Sequence, residues 1–152
     1  MDSLADVGVD LAPVLGNLRY RLQDRLKAAG VSLIWEVQAL PPIQGLTPTN
    51  VRSIQNMVLE AMTNAIRHGA ATEIMLATSI GADGSHVKIL IRDNGRGFDS
   101  TQPRLGLGLT LLKQRARELG GEAKIISHPG GGCKVQVRLP NVLPDPRGGS
   151  IA

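Results

Sequence analysis

Three short groups of residues in this chain have the types and spacing to do chemistry: Glu60, Asn64 and Arg67; Asp93 with Gly95 and Gly97; and Gly106-Leu107-Gly108-Leu109. The first group is spaced four and three apart, so on a helix its side chains stack along one face. A solvent-facing polar stripe has the same spacing. Asn, however, is a poor mid-helix residue, and Asn64 lies between Met62 and Ala65, which continue an apolar stripe of Val51, Ile54, Val58 and Ala61. A carboxamide oxygen at such a place suits Mg²⁺, a hard ion that takes oxygen ligands and touches substrate phosphates. Asp93 ends a run in which Val87, Ile89 and Ile91 alternate with polar residues. Asp before Gly is favoured in ordinary turns. An ionised carboxylate is also acceptor-only, which matches the exocyclic amine that adenine carries and guanine lacks at that ring position. Gly95 and Gly97 let the backbone pass close to a flat base without a Cβ between them. Gly106 and Gly108 open a helical pattern, where free N–H groups and the helix dipole favour an anion; a plain hinge would use the same glycines.

The elements that must position these groups are legible from pattern. Leu15, Leu18, Leu22 and Leu26 predict an amphipathic helix from Leu11 to Ala29, stopped by Gly30. Val31 to Val37 is a short β-rich run. Thr47 as cap and Pro48 in the first turn start a second helix that ends at Gly69. Thr72 to Ile80 and His86 to Arg92 are strands joined by Gly81-Ala82-Asp83-Gly84-Ser85, a hairpin signal. After a polar, Gly-rich loop over residues 94–105, a third helix runs from Gly106 to Leu119. Glu122 to Ser127 and Cys133 to Leu139 then pair across Pro129-Gly130-Gly131-Gly132. Cys133, Val135, Val137 and Leu139 alternate with Lys134, Gln136 and Arg138, as a sheet with one covered face requires. The implied class is α+β, with helices on one face of a mixed sheet. Residues 1–10 and 141–152 are expected to be tails around a body at 11–140.

Two phosphate motifs are excluded. No Gly-Lys-Ser/Thr step is present, so there is no P-loop, and a loop rather than a strand precedes Gly106, against a dinucleotide fold. In their order and spacing, Glu60 to Asn64, Asp93 to Phe98 and Gly106 to Leu109 instead resemble the N, G1 and G2 boxes of the ATP-binding fold shared by gyrase, Hsp90, histidine kinases and MutL. The resemblance runs from about Thr47 to Pro140. Its short segment between the second and third boxes, without a Phe-rich box, is similar to bacterial sensor histidine kinases of the nitrate-sensor type.

The resemblance implies the Bergerat ATP-binding fold, a two-layer α/β sandwich whose mixed, mostly antiparallel sheet is covered on one face by about three helices. It makes ATP and Mg²⁺ the cofactors and Asn64 the metal ligand. Arg67 and His68 then approach the phosphates, and Glu60 matches the acid that activates water in ATPase relatives. Asp93 reads adenine beside Gly95 and Gly97, Gly106 to Leu109 meet the phosphates, and Asp99 to Leu105, with Arg104, form the ATP lid. The family usually has Thr after its last glycines, supporting the adenine-binding Asp. Here Cys133 follows Gly130-Gly131-Gly132, so Cys133→Thr is expected to tighten ATP binding, unless the residue is plain core packing.

The implied activity is transfer of the ATP γ-phosphoryl to a histidine on a dimerisation domain absent from this chain, with a response regulator downstream. His68, His86 and His128 lie on the second helix, a hairpin edge and a turn, none on a paired-helix segment. The alternatives are an anti-sigma-factor-like serine kinase on the same fold and a non-catalytic ATP-sensing module.

Composition is compatible with this and narrows the partners. At 152 residues one domain is the prior, and a chain of this size buries roughly 70% of its unfolded surface. A single cysteine excludes an intrachain disulfide and fits a reducing cytoplasm. No apolar run approaches the ~20 residues of a membrane span, although the parent protein is free to carry one. The net charge of +4 and pI near 9.7 raise nucleic acid as a partner. The basic residues are scattered, though, and one Phe, one Tyr and one Trp offer no stacking platform, so no nucleic-acid partner is expected.

Overall fold

The computed structural model describes residues 8–99, 101 and 106–143, the side chain of Leu107 excepted. Among the described residues, three helices, α1 (Leu11–Ala28), α2 (Pro48–Arg67) and α3 (Leu107–Glu118), accompany five strands: β1 (Ser32–Glu36), β2 (Glu73–Ile80), β3 (His86–Asp93), β4 (Glu122–Ser127) and β5 (Cys133–Pro140). The strand order is β1-β2-β3-β5-β4. β1 pairs parallel with β2, and the other pairings between these five strands are antiparallel. The expected mixed α+β sandwich is what the chain forms.

The alternation in each strand decides which face is closed. Ile74 and Leu76, Val87, Ile89 and Ile91, and Val135, Val137 and Leu139 point into one core with the leucines of α1 and with Ile54, Met57, Val58, Ala61, Met62 and Ala65 of α2. Leu109, Leu112 and Ala116 add the buried stripe of α3. Burial of this kind contributes about 25 cal/mol per Å² of apolar surface, which is why the period of the pattern carries so much of the fold. None of the described helices lies on the other face of the sheet, which carries Lys88, Arg92, Lys124, Lys134 and Arg138 on β3, β4 and β5.

The helix starts differ from one another. Asp10 caps α1 through the Ala12 N–H at 3.1 Å, and Thr47 and Asn50 form a reciprocal capping box on α2. α3 begins at Gly106 with no side-chain cap.

Two expected boundaries shift. Val9 pairs with Ile43 and Val142 with Gln44 in isolated bridges, and Leu143 is buried with its N–H donating to the Gln44 carbonyl at 2.8 Å. The body therefore reaches at least from Val9 to Leu143. An apolar side chain that covers Gly45 has more to gain from the core than from fraying.

Candidate nucleotide site

The three motif groups meet at one end of the sheet, where β3 stops and the helix ends converge. α2 delivers the first group. Glu60 and Asn64 are half-buried, one turn apart on its flank, and Arg67 and the C-cap His68 are exposed. Among the described residues the side chains of all four lack a hydrogen-bond or ion-pair partner. After the helix the chain turns through Gly69 and Ala70, the one described non-glycine residue with positive φ, at 52°, a conformation costing an L-residue about 1 kcal/mol or more.

That turn receives the second group. The Arg96 N–H donates to the Gly69 carbonyl at 2.7 Å, and a Cβ on Gly95 would stand 2.5 Å from the same oxygen. Gly95 is thus required by contact with α2's exit. Gly97, at φ +66°, lies against the His128 and Gly132 carbonyls, where no side chain fits. Asp93 ends β3 half-buried, and its carboxylate accepts the Gly95 N–H at 2.7 Å. Burial raises its pKa above the ordinary 3.8, against the pull of hydrogen bonds from the Gly95 and Cys133 backbones. An acceptor that is partly desolvated and fixed by its neighbours is suited to a directional bond with a base.

The third group touches the first. A Cβ on Gly108 would overlap the Glu60 carboxylate, so a larger residue here would have to push that flexible side chain aside. Gly106 has open space around it. The first intrahelical bond is Thr110 N–H to the Gly106 carbonyl at 3.1 Å, which leaves the amides of Leu107, Gly108 and Leu109 as the unpaired start of an uncapped helix. The Leu109 side chain is buried in the core, so this residue can offer a ligand only its backbone. Arg104 and most of the Asp99 to Leu105 segment lie outside the described residues.

Cys133 sits where the alternation put it, buried on the covered face and directly opposite Asp93 in the β3–β5 register. Burial, with the Asp93 charge beside it, pushes its thiol up to about 11, so it is protonated at neutral pH.

Pattern reading missed three contributors. The Asn94 carboxamide oxygen accepts the Thr72 and Glu73 N–H groups at 2.9 Å each and so ties the end of β3 to the start of β2. Gly69 supplies the carbonyl that seats the Asp93 to Phe98 loop. Ser127 is buried, accepts the Phe98 N–H at 2.9 Å and donates to the Gly132 carbonyl at 2.6 Å. Only Ser127 had a sequence signal: a hydroxyl in phase with Ala123 and Ile125 on the covered face. A cleft of about 400 Å³ lined by Lys88, Lys124 and Arg138 opens on the uncovered face, by the beginning of β3 rather than its Asp93 end, and is separate from this site.

Residues 49–143 match the family described as histidine kinase-, DNA gyrase B-, and HSP90-like ATPase. The chain belongs to that family and is an ATP-binding domain of it. It is 30% identical over 128 residues to the sensor histidine kinase LiaS of Bacillus subtilis, covering 84% of this chain and 34% of LiaS. It is 34% identical over 103 residues to a NarQ homologue, a sensor protein of Haemophilus influenzae, covering 67% of this chain and 18% of that protein. The solved ATP binding domain of PrrB from Mycobacterium tuberculosis superposes with a TM-score of 0.66 at 29% identity, covering 87% of this chain and 94% of that domain. The chain therefore spans about a third of LiaS and under a fifth of the NarQ homologue.

Proposed function

We propose that this chain is the catalytic part of a two-component sensor histidine kinase. It binds Mg-ATP and delivers the γ-phosphoryl group to a histidine on a dimerisation domain, which in turn serves a response regulator; the site of action is the cytoplasm. No helix of the described residues is long and apolar enough to cross a membrane. The observation that carries the reading is the convergence of three differently built ends: a strand-end carboxylate with its acceptor fixed, a helix flank with a free carboxamide, and an uncapped helix start. Adenine amine, Mg²⁺ and phosphate oxygens need those three environments in that order along one extended ligand.

The residues fit the metal. Asn64 offers an unengaged oxygen, with Glu60 one turn before it. Among the described residues no group of three His, Cys, Asp or Glu side chains could hold an ion alone. Mg²⁺ commonly takes one or two protein oxygens and completes its shell with phosphates and water, so the nucleotide itself would bring most of the ligands. Bound there, the ion would neutralise charge on the phosphoryl oxygens. Asn64 would place it, the α3 amides would take the remaining phosphate charge, and Asp93 would hold the base. Catalysis in such a site is mostly positioning and charge stabilisation.

The test is incubation of the chain with labelled Mg-ATP, alone and with a paired-helix fragment carrying a phosphoacceptor histidine. Acid-labile label on the fragment, with none on His68, His86 or His128, is the expected result. Acid-stable label on a serine of a partner would replace this reading with a serine kinase. Tight ATP binding without transfer to any acceptor would make the domain a nucleotide sensor.

A further inference from the structure

Asp93, Cys133 and Ser127 form a single row across three strands: Asp93 opposes Cys133 in the β3–β5 register, and Cys133 opposes Ser127 in the β5–β4 register. The middle member is a poor hydrogen-bonding group, because a thiol is a weak donor and a weak acceptor. The outer member is the opposite. Ser127 is 3% exposed and its oxygen is a junction. It accepts from the Phe98 N–H, donates to the Gly132 carbonyl and stands opposite Cys133 across the β4–β5 pair. Gly132 in turn, at φ +70°, is packed against the Asp93 carbonyl so closely that no Cβ could stand between them. The Gly130 N–H closes the same loop onto the Arg96 carbonyl at 2.5 Å. One buried hydroxyl thus holds both backbone segments that flank the Asp93 carboxylate.

We propose that Ser127 is a positioning residue for adenine recognition: it supplies, from the neighbouring strand, the buried hydroxyl that position 133 lacks, and it acts through Gly132 and Phe98 on Asp93. The inference rests on the ATP-binding reading above. Removing the hydroxyl leaves a part-buried N–H and a buried carbonyl without this partner, and such groups move to find another. Gly132 cannot move without moving the Asp93 backbone. The effect therefore falls on base selectivity rather than on phosphate contacts, which come from the helix ends.

The experiment is calorimetric titration of ATP and GTP into the whole chain, for wild type, Ser127→Ala, Ser127→Thr, Asp93→Ala and the Ser127→Ala/Asp93→Ala double variant. Ser127→Ala is expected to weaken ATP about ten-fold and GTP far less, narrowing the preference, at roughly one decade per lost hydrogen bond. Ser127→Thr, which keeps the hydroxyl, should retain the wild-type preference. The double variant should bind ATP no more weakly than Asp93→Ala alone, because the serine works through that carboxylate. Equal losses for ATP and GTP, or a loss that adds in full to that of Asp93→Ala, would overturn the proposal and leave Ser127 as ordinary packing. Should Ser127→Ala fail to fold, Ser127→Cys serves in its place, and an unchanged ATP-to-GTP ratio in it overturns the proposal equally. Absence of ATP binding by the wild-type chain would instead bring down the nucleotide reading itself.

Discussion

The base end and the phosphate end of the candidate site are built on opposite plans. At the base end the hydrogen-bonding groups of the loop are largely engaged: Asp93 with Gly95, Arg96 with Gly69 and Gly130, Phe98 with Ser127, Ser127 with Gly132. At the phosphate end the polar side chains of Glu60, Asn64, Arg67 and His68 have no partner among the described residues, and α3 starts without a cap. Strand ends can be cross-linked by neighbouring strands, whereas a helix start, such as that of α3, leaves N–H groups without intrahelical partners. The difference teaches how the work divides. On the function proposed above, one end would be pre-organised to select the base, and the other would keep free acceptors and donors for a charged ligand.

Breaking the phosphate end should have the largest effect. Asn64→Ala is expected to abolish phosphoryl transfer to a phosphoacceptor fragment while leaving the melting temperature nearly unchanged, since its carboxamide makes no hydrogen bond within the described protein. Transfer at the wild-type rate would show that this carboxamide does not hold the metal.

At the base end, Asp93→Ala removes a charge-assisted hydrogen bond worth roughly 1.5–3 kcal/mol, so ATP affinity should fall about ten- to a hundred-fold. Calorimetry with ATP and with adenosine should show the same factor for both. A loss confined to ATP would mean that the two ends are not separate in function.

The pH response sharpens the contrast. Burial raises the Asp93 pKa above 3.8, so the folded state holds this proton more tightly than the unfolded chain. Its stability contribution is present below 3.8 and is lost as pH rises through the raised value; at neutral pH the ionised carboxylate is a net cost. Asp93→Asn should therefore raise the melting temperature of the nucleotide-free protein at pH 7 while weakening ATP binding. A lower melting temperature at that pH would contradict the assignment of burial as the dominant influence.

Smaller effects are expected beside the site. Because Ser127 already places a hydroxyl next to Cys133, Cys133→Thr should change ATP affinity by less than about three-fold, under the ~1 kcal/mol of a new neutral hydrogen bond. A ten-fold gain would restore the simpler view that position 133 alone supports Asp93. On the uncovered face, Lys134 stands directly opposite Arg92, and Lys88 opposite Arg138. Like charges so placed are destabilising, by about 0.2–1 kcal/mol per pair. Lys134→Glu should raise stability in denaturant titration and leave ATP affinity untouched, although its neighbour in sequence is Cys133.

Much of this molecule was determined by sequence alone. Helix and strand positions followed from periods of 3.6 and 2, because burying one face of each element dominates the energetics. Thr47 and Pro48 marked the start of α2 and Gly30 the end of α1, since caps are local chemistry. Asn64 stood out as a candidate because Asn is a poor mid-helix residue, and Asp93 and the glycines through their order and spacing along the chain. Three things belonged to the tertiary structure. Val9 and Leu143 join the body only because the Ile43 to Gly45 segment is there to pair with them. Gly95 has no room for a Cβ because the Gly69 carbonyl stands there, and Gly108 lies against the Glu60 carboxylate, contacts with residues dozens of positions away. Ser127 becomes a junction only when β4, β5 and the Phe98 loop meet at one oxygen. Local pattern fixes which face of an element is buried; which distant backbone groups then arrive at a given atom depends on register and loop closure, and no short window of residues contains that information.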